Sequence, residues 1–327
     1  MTSLGTLRNF IWAGEIPAEF SMDASEVTAL QRPLPLYLLL PRMSFLPCVA
    51  EILAHHFGDV APDAQRTLWL EDGGTGEPLR WHVPTGVLFD LFVRKGVGQR
   101  KDSGAPGGVL PWRINVHFQG RPRQQVLPLE NEVDIRRHYT NALKQALFMQ
   151  SGSSKSVMSL SKENQTRLWE AIKGCNGCVF HEVDTFLGSR NDRALPRLVP
   201  VRIIRGKAPP VQLPFPAKRP NDIFPSEEGG GSTSDDGEEP TNGEGVPGES
   251  EDKKGDAAVD KASTGVNDSL EGNTAGGKGE GRSSEDDVGA AWSVVIQGIN
   301  PPLDVSITDL WVALRHPDHF LYVVVLG

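Results

Sequence analysis

Leu79-Arg80-Trp81-His82-Val83-Pro84-Thr85-Gly86-Val87-Leu88-Phe89-Asp90-Leu91, followed within thirty residues by Leu110-Pro111-Trp112-Arg113-Ile114-Asn115-Val116-His117-Phe118, is the stretch from which the fold is read. Two Trp, two Phe and several Leu lie here at spacings that pack a turn onto two short strands. No pairing of acid and base recurs at a catalytic spacing, and Asp90 reads as a helix-cap or turn carboxylate. Trp81, Trp112, Phe118 and, much later, Trp311 read as core, and His82 and His117 as hydrogen-bonded structural histidines. Such a chain acts by offering a shape and one reactive side chain.

Outward from that stretch, residues 9–22 read as a hairpin with its turn at Gly14 and Pro17. Leu36–Leu40 reads as a buried strand closed by Pro41-Arg42. A helix then starts at Ser44, whose hydroxyl is placed to cap it. Leu46, Val49, Ile52, Leu53 and Phe57 recur at helical spacing, and Gly58 ends the run. Strands follow at Thr67–Leu70, Leu79–Val83 and Ile114–Phe118. This order over some 115 residues fits a β-grasp, or ubiquitin-like, lobe.

The next region changes character. Val133, Tyr139, Ala142, Leu143, Ala146 and Leu147 form one helical stripe, and Ser161 caps a second helix carrying Leu168, Trp169 and Ile172. Strands return at Leu198–Arg205 and Trp292–Ile299, with an extended segment at Pro209–Pro216. Ser306-Ile307-Thr308-Asp309 resembles a capping box ahead of Ile307, Leu310, Trp311 and Leu314, and Phe320–Leu326 closes the chain as a strand. The expected fold class is α+β: two β-grasp domains, 1–120 and 191–327, flank a helix-rich domain at 121–190.

Charge is unevenly shared. The chain carries −9, but residues 226–290 hold 18 Asp/Glu against 5 Lys/Arg, which leaves the remainder at +4. That stretch lacks Phe, Trp and Tyr and is rich in Gly, Ser, Asp and Glu, a composition that reads as a disordered acidic insert within the second β-grasp domain. No apolar run is long enough to span a bilayer, and no secretory signal is visible, so a cytoplasmic protein is expected. Three cysteines make no disulfide framework. Cys175-Asn176-Gly177-Cys178 lacks the second ligand pair of a structural zinc site and reads as two reduced thiols. No phosphate-binding glycine loop occurs, and neither a cofactor nor a nucleic-acid partner is implied. The pairs Arg121/Arg123 and Lys218/Arg219 are candidates for contact with anionic lipid.

Seven tracts in order resemble the autophagy protein 5 family: Trp12–Pro17, Tyr37–Leu46, Leu79–Leu91, Leu110–Phe118, Pro200–Ile203, Gln297–Ile299 and Pro317–Leu321. The resemblance implies two ubiquitin-like domains around a helical one, in agreement with the reading above. It implies a scaffold that is not itself an enzyme. One lysine accepts the C-terminal glycine of autophagy protein 12, delivered by autophagy proteins 7 and 10. The conjugate binds a helix of autophagy protein 16 and promotes lipidation of autophagy protein 8, peripherally, at the membrane of the phagophore assembly site.

By the family's register the acceptor is Lys144, with Lys155 and Lys162 as competitors. The acidic residues that usually follow the acceptor are Gln145 and Leu147 in this chain. Lys144 lies about 100° round a helix from Leu143, so its stem can pack while its amine reaches solvent. The resemblance also places Arg42, with Tyr37 nearby, at the groove that receives the partner helix. The family's helix between the second and third strands of the last domain is not legible in this sequence.

Overall fold

The structure is a computed structural model that describes residues 4–61, 68–99, 110–127, 132–188, 196–217 and 292–327. The acidic insert at 226–290, the pair Lys218/Arg219 and the chain between the second and third strands of the last domain lie outside the described residues.

The first lobe begins with α1 (Leu4–Trp12) and β1 (Glu15–Met22), then β2 (Leu36–Pro41), α2 (Ala50–Phe57), β3 (Trp69–Asp72), β4 (Glu77–Pro78), α3 (Thr85–Gln99) and β5 (Trp112–His117). Its sheet runs β2-β1-β5-β3-β4. The first and last strands, β1 and β5, pair in parallel at the centre, Ala18 opposite Trp112 and Phe20 opposite Ile114, which is the β-grasp arrangement. Ile16, Ala18 and Phe20 alternate inward with Trp112, Ile114 and Val116, and Leu53 and Phe57 of α2 and Leu88 and Leu91 of α3 share their core. Each buried Ile, Leu, Val and Phe among them contributes about 1.5–3 kcal/mol on leaving water. Trp112 keeps its indole N–H satisfied inside by donating to Asp72 Oδ1 at 2.7 Å.

The helical region comprises α4 (Glu132–Ser151), α5 (Lys155–Met158), α6 (Lys162–Lys173) and α7 (Gly177–Asp184). The second lobe comprises β6 (Leu198–Ile204), β7 (Val211–Pro216), β8 (Ser293–Val295), α8 (Ile307–Leu314) and β9 (Leu321–Leu326). Its sheet, β7-β6-β9-β8, again holds its first and last strands parallel at the centre, Val201 opposite Leu321. The expected α+β class, two ubiquitin-like lobes around a helical region, is what the chain adopts. The cores are not private. Tyr139, Leu143 and Trp169 of the helical region pack in one cluster with Trp12 and Phe45 of the first lobe and Val201 and Trp311 of the second.

Several local expectations change. Residues 9–22 are not a hairpin. Leu7, Ile11 and Trp12 are spaced for a helix, and the chain turns at Gly14, where a Cβ would meet Arg42 Cδ at 3.0 Å. Pro17 is then carried inside β1, opposite Leu39 and one residue before the β5 ladder begins at Ala18. β2 is an edge strand rather than a buried one: Leu40 is buried while Tyr37 and Leu39 face solvent. Ser44 caps nothing. A 3-10 turn over Leu46–Val49 intervenes with Phe45 at its cap, and α2 follows from Ala50. Leu79–Val83 is a turn, not a strand, closed by Val83 N–H on Arg80 O, and it leads into α3. Gly86, Val87 and Thr85 weaken the helical signal there, but burial of Val87, Leu88 and Leu91 supplies the stability that propensity lacks. The caps at Ser161 and Ser306 form as the sequence suggests, accepting from Asn164 N–H and Asp309 N–H at 3.1 Å each.

Candidate functional site

Helix α4 is buried on one side by Tyr139, Leu143, Ala146 and Leu147. Adjoining that side, Gln145 and Met149 meet the second lobe: Arg202 of β6 donates to Gln145 Oε1 at 3.2 Å, and Gln212 of β7 donates to Met149 Sδ at 3.3 Å. At about 100° per residue, the remaining arc carries Val133, Arg137, Asn141, Lys144 and Phe148. Val133, Arg137, Asn141 and Phe148 are exposed and Lys144 is half-buried. Lys144 therefore stands on the open side of a helix whose other sides are fixed, with an apolar ring, Phe148, one turn further on. Among the described residues no carboxylate lies within ion-pair distance of its amine. Lys155 and Lys162, the competitors, are exposed at the first positions of α5 and α6. Neither is set in the middle of a long helix.

The other two candidates part company in space. Tyr37 points outward from the edge strand β2, 61% exposed beside Leu39. Arg42, five residues on, turns inward. Its Nη2 lies 2.6 Å from Asp90 Oδ2 of α3 and donates to Gly86 O at 3.3 Å, and the guanidinium sits 5.8 Å from the Phe89 ring. It is not a solvated arginine at a strand end. The same Asp90 oxygen accepts Gly298 N–H from the second lobe at 2.8 Å. Asp90 thus serves neither as a cap nor as a turn carboxylate: it is a buried acceptor in mid-helix. The sequence signal was available, a single Asp inside the apolar run Leu88-Phe89-Asp90-Leu91, but its two partners lie 48 and 208 positions away.

A second cluster was not foreseen at all. Asp184, at the end of α7, faces His319 Nε2 at 2.6 Å and Arg315 Nη2 at 3.0 Å, both from the second lobe. Burial opposes ionisation of Asp184, but His319 and Arg315 outweigh it and hold the carboxyl well below the usual range. Close by, a small cavity of about 20 Å³ is lined by Arg8, Trp12, Met43, His181, Arg315 and His316, among others. None of Lys144, Arg42 and Tyr37 lines it. Burial pushes the His316 imidazole down to about 3 and the His82 imidazole down to about 4. His82 differs from expectation in that its Nδ1 is buried without a hydrogen-bond partner among the described residues. His117 behaves as expected, with Nδ1 3.0 Å from Glu26 Oε1.

The cysteines offer no reactive thiol pair. Cys175 holds a left-handed backbone at φ 51° and donates its thiol to Trp12 O at 3.0 Å. Burial pushes that thiol up to about 11, the opposite of activation. Cys178 is exposed. Among the described residues no group of three or more His, Cys, Asp or Glu is placed to hold a metal ion, and no helix is long and apolar enough to cross a membrane. Arg123 is exposed and Arg121 half-buried.

Comparison with known proteins matches three consecutive family models to the chain. They are described as Autophagy protein ATG5, UblA domain, at residues 11–118; alpha-helical bundle region, at 132–188; and UblB domain, at 198–325. A protein of Penicillium rubens named Autophagy protein 5 is 30% identical over 234 residues, covering 67% of this chain and 73% of that protein. Proteins of the same name from Oryza sativa subsp. indica and Arabidopsis thaliana are 33% and 31% identical, each over 50% of this chain. The matched region spans less than half the length of those plant relatives, 39% and 44%. The crystal structure of Kluyveromyces marxianus Atg5 superposes with a TM-score of 0.64 at 20% identity, over 98% of this chain and 99% of that one. At that identity the likeness speaks for the fold.

Proposed function

Because the chain belongs to the autophagy protein 5 family, we propose that it is an autophagy conjugation scaffold whose reactive group is the amine of Lys144. The amine accepts the C-terminal glycine of autophagy protein 12, delivered by autophagy proteins 7 and 10. The observation that carries this reading is the setting of Lys144, on the open arc of a helix clamped on its other sides by core packing and by the Gln145–Arg202 contact. A nucleophile presented from a fixed element loses less freedom on meeting an acyl donor than one on a mobile loop.

The chemistry asked of this chain is small. The Lys144 nitrogen, once it has given up a proton to solvent or to a base on the donor, attacks the thioester carbonyl of the activated glycine. A C–N bond forms, the C–S bond breaks, and the leaving thiolate takes up a proton. No acid, base or oxyanion donor is needed from the scaffold beyond holding the amine still. The conjugate then receives a helix of autophagy protein 16 near Tyr37 and Arg42 and acts ligase-like in attaching autophagy protein 8 to phosphatidylethanolamine. It works from the cytoplasm as a peripheral component at the phagophore assembly site. An exposed aromatic on an edge strand, with Leu39 beside it, is the kind of surface onto which an amphipathic helix docks.

Reconstitution of the full chain with the modifier and its two enzymes, followed by mass-spectrometric mapping of the linkage, tests this reading. A branched peptide at Lys144 supports it. A branch at Lys155 or Lys162 moves the acceptor, and absence of any adduct overturns the reading.

A further inference from the structure

The geometry points to the Asp90 carboxylate as a latch that fixes the two ubiquitin-like lobes against each other, and to Arg42 as part of that latch rather than as a contact for a partner. The turn between Ile296 and Ile299 is a tight one, with Gln297 at φ 51° and Gly298 at φ 76°. Its tip enters the first lobe. Gly298 N–H donates to Asp90 Oδ2 at 2.8 Å, and Gln297 Nε2 approaches Met43 Sδ and Leu314 O at 3.3 Å each. Arg42 lies across the same carboxylate oxygen at 2.6 Å, with side-chain exposures of 13% for Arg42 and 2% for Asp90.

Nothing in this cluster has room to spare. A Cβ on Gly14 would stand 3.0 Å from Arg42 Cδ, one on Gly86 3.0 Å from Arg42 Cβ, and one on Gly298 3.2 Å from Arg42 Nη2. Gly86 N–H donates to Arg42 O, and Arg42 N–H to Gly14 O. Three glycines from three parts of the chain pack against the one residue Arg42, Gly14 along its stem, Gly86 at its Cβ and Nε and Gly298 at the end of its guanidinium, and only Gly298 belongs to the second lobe. A buried ion pair in low dielectric holds its partners in one geometry, because separating them strands a desolvated charge. Asp90 is therefore a positioning residue. By setting how the second lobe meets the first, it shapes any surface built across both, including the partner-helix groove proposed above, on which one arm of the test rests.

The test is a comparison of Asp90→Ala, Asp90→Asn and Arg42→Ala in the full chain by hydrogen exchange, with affinity for the autophagy protein 16 helix as a second readout. Loss of one hydrogen bond alone speeds only the Gly298 amide. Opening of the latch speeds the Ile299 and Gly86 amides as well, at least tenfold, while Val201 and Val323 in the core of the second sheet keep their rates. Asp90→Asn, which still offers an oxygen to Gly298, retains part of the protection. Partner-helix affinity falls by a similar factor in Asp90→Ala and Arg42→Ala, and the double variant is no weaker than either. Unchanged exchange at Ile299 and Gly86 overturns the latch without touching the proposed function. Loss of affinity in Arg42→Ala with full affinity in Asp90→Ala also overturns it, and makes Arg42 a direct contact. Should Asp90→Ala fail to fold, Asp90→Asn and Gly298→Ala carry the same comparison.

Discussion

Asp184 Oδ1 and His319 Nε2 lie 2.6 Å apart, joining the end of the helical region to the second lobe. Arg315 completes the contact on the other carboxylate oxygen at 3.0 Å, and the whole group is nearly dry. Removing the carboxylate leaves two buried nitrogen donors without their acceptor. Asp184→Ala is expected to cost about 3–5 kcal/mol of stability. A urea titration followed by tryptophan fluorescence measures it, and a loss under about 1 kcal/mol would show that the contact is incidental.

Acid should unfold the chain earlier than its carboxylates alone would dictate. His82 and His316 are held neutral by burial, with folded values of about 4 and about 3 against about 6.5 in the unfolded chain. Below pH 6.5 the unfolded state takes up protons that the folded state refuses, so stability falls as pH falls. Between pH 6.5 and 5 the loss is about 1.6 kcal/mol for each of these histidines. Asp184 adds a loss of the same sign below the ordinary carboxylate range. Urea midpoints measured at pH 7 and pH 5 check this, and a His316→Leu variant should show a shallower dependence. A midpoint insensitive to pH over that interval would contradict the assignment.

The thiols should separate cleanly in an alkylation experiment. Cys178 is exposed, whereas Cys175 is partly buried, hydrogen-bonded to Trp12 O and pushed up to about 11. Iodoacetamide at pH 8 is expected to label Cys178 at least tenfold faster than Cys175 in the native protein, with the difference abolished in urea. Faster labelling of Cys175 would revive a thiol role.

Gly177 opens α7 directly under the first lobe. A Cβ there would stand 2.8 Å from Trp12 Cγ, and that ring packs on Phe180 at a centroid distance of 4.9 Å. Gly177→Ala should therefore destabilise by about 1–3 kcal/mol through overpacking, measured by the same titration. A neutral result would mean that Trp12 can shift at little cost.

Tyr37 offers the simplest probe of the edge strand. Its ring is exposed, so Tyr37→Ala is expected to leave the urea midpoint nearly unchanged while weakening the partner helix at least fivefold in calorimetry. Equal affinity would remove β2 from the docking surface.

Much of this architecture is visible in the chain before any coordinates. Alternating Ile114 and Val116, the stripe from Tyr139 to Leu147, and the serine caps at Ser161 and Ser306 each act through local physics, and each element forms where its pattern lies. α3 was missed because its helicity comes from burial against other parts of the chain, not from propensity, whereas α1 was missed although Leu7, Ile11 and Trp12 lie at helical spacing. Gly14 and Gly86 look like turn punctuation, yet each is small because the Arg42 side chain passes over it. Lys144 was named from the family's register, and helical spacing adds only that it lies beside the buried stripe with its amine able to reach solvent. The inward turn of Arg42 and the Asp184 cluster were not legible, since their partners lie 48 to 135 positions away and only the folded chain brings them together.

The most direct measurement is conjugation of the Lys144→Arg variant, read as a gel-shifted adduct beside the unmodified chain. Arginine keeps the charge and the packed stem but supplies no amine that can be acylated. Loss of the adduct, with an unchanged urea midpoint, is the expected result. An adduct formed at the wild-type rate by a stably folded variant would contradict the assignment of Lys144 as acceptor.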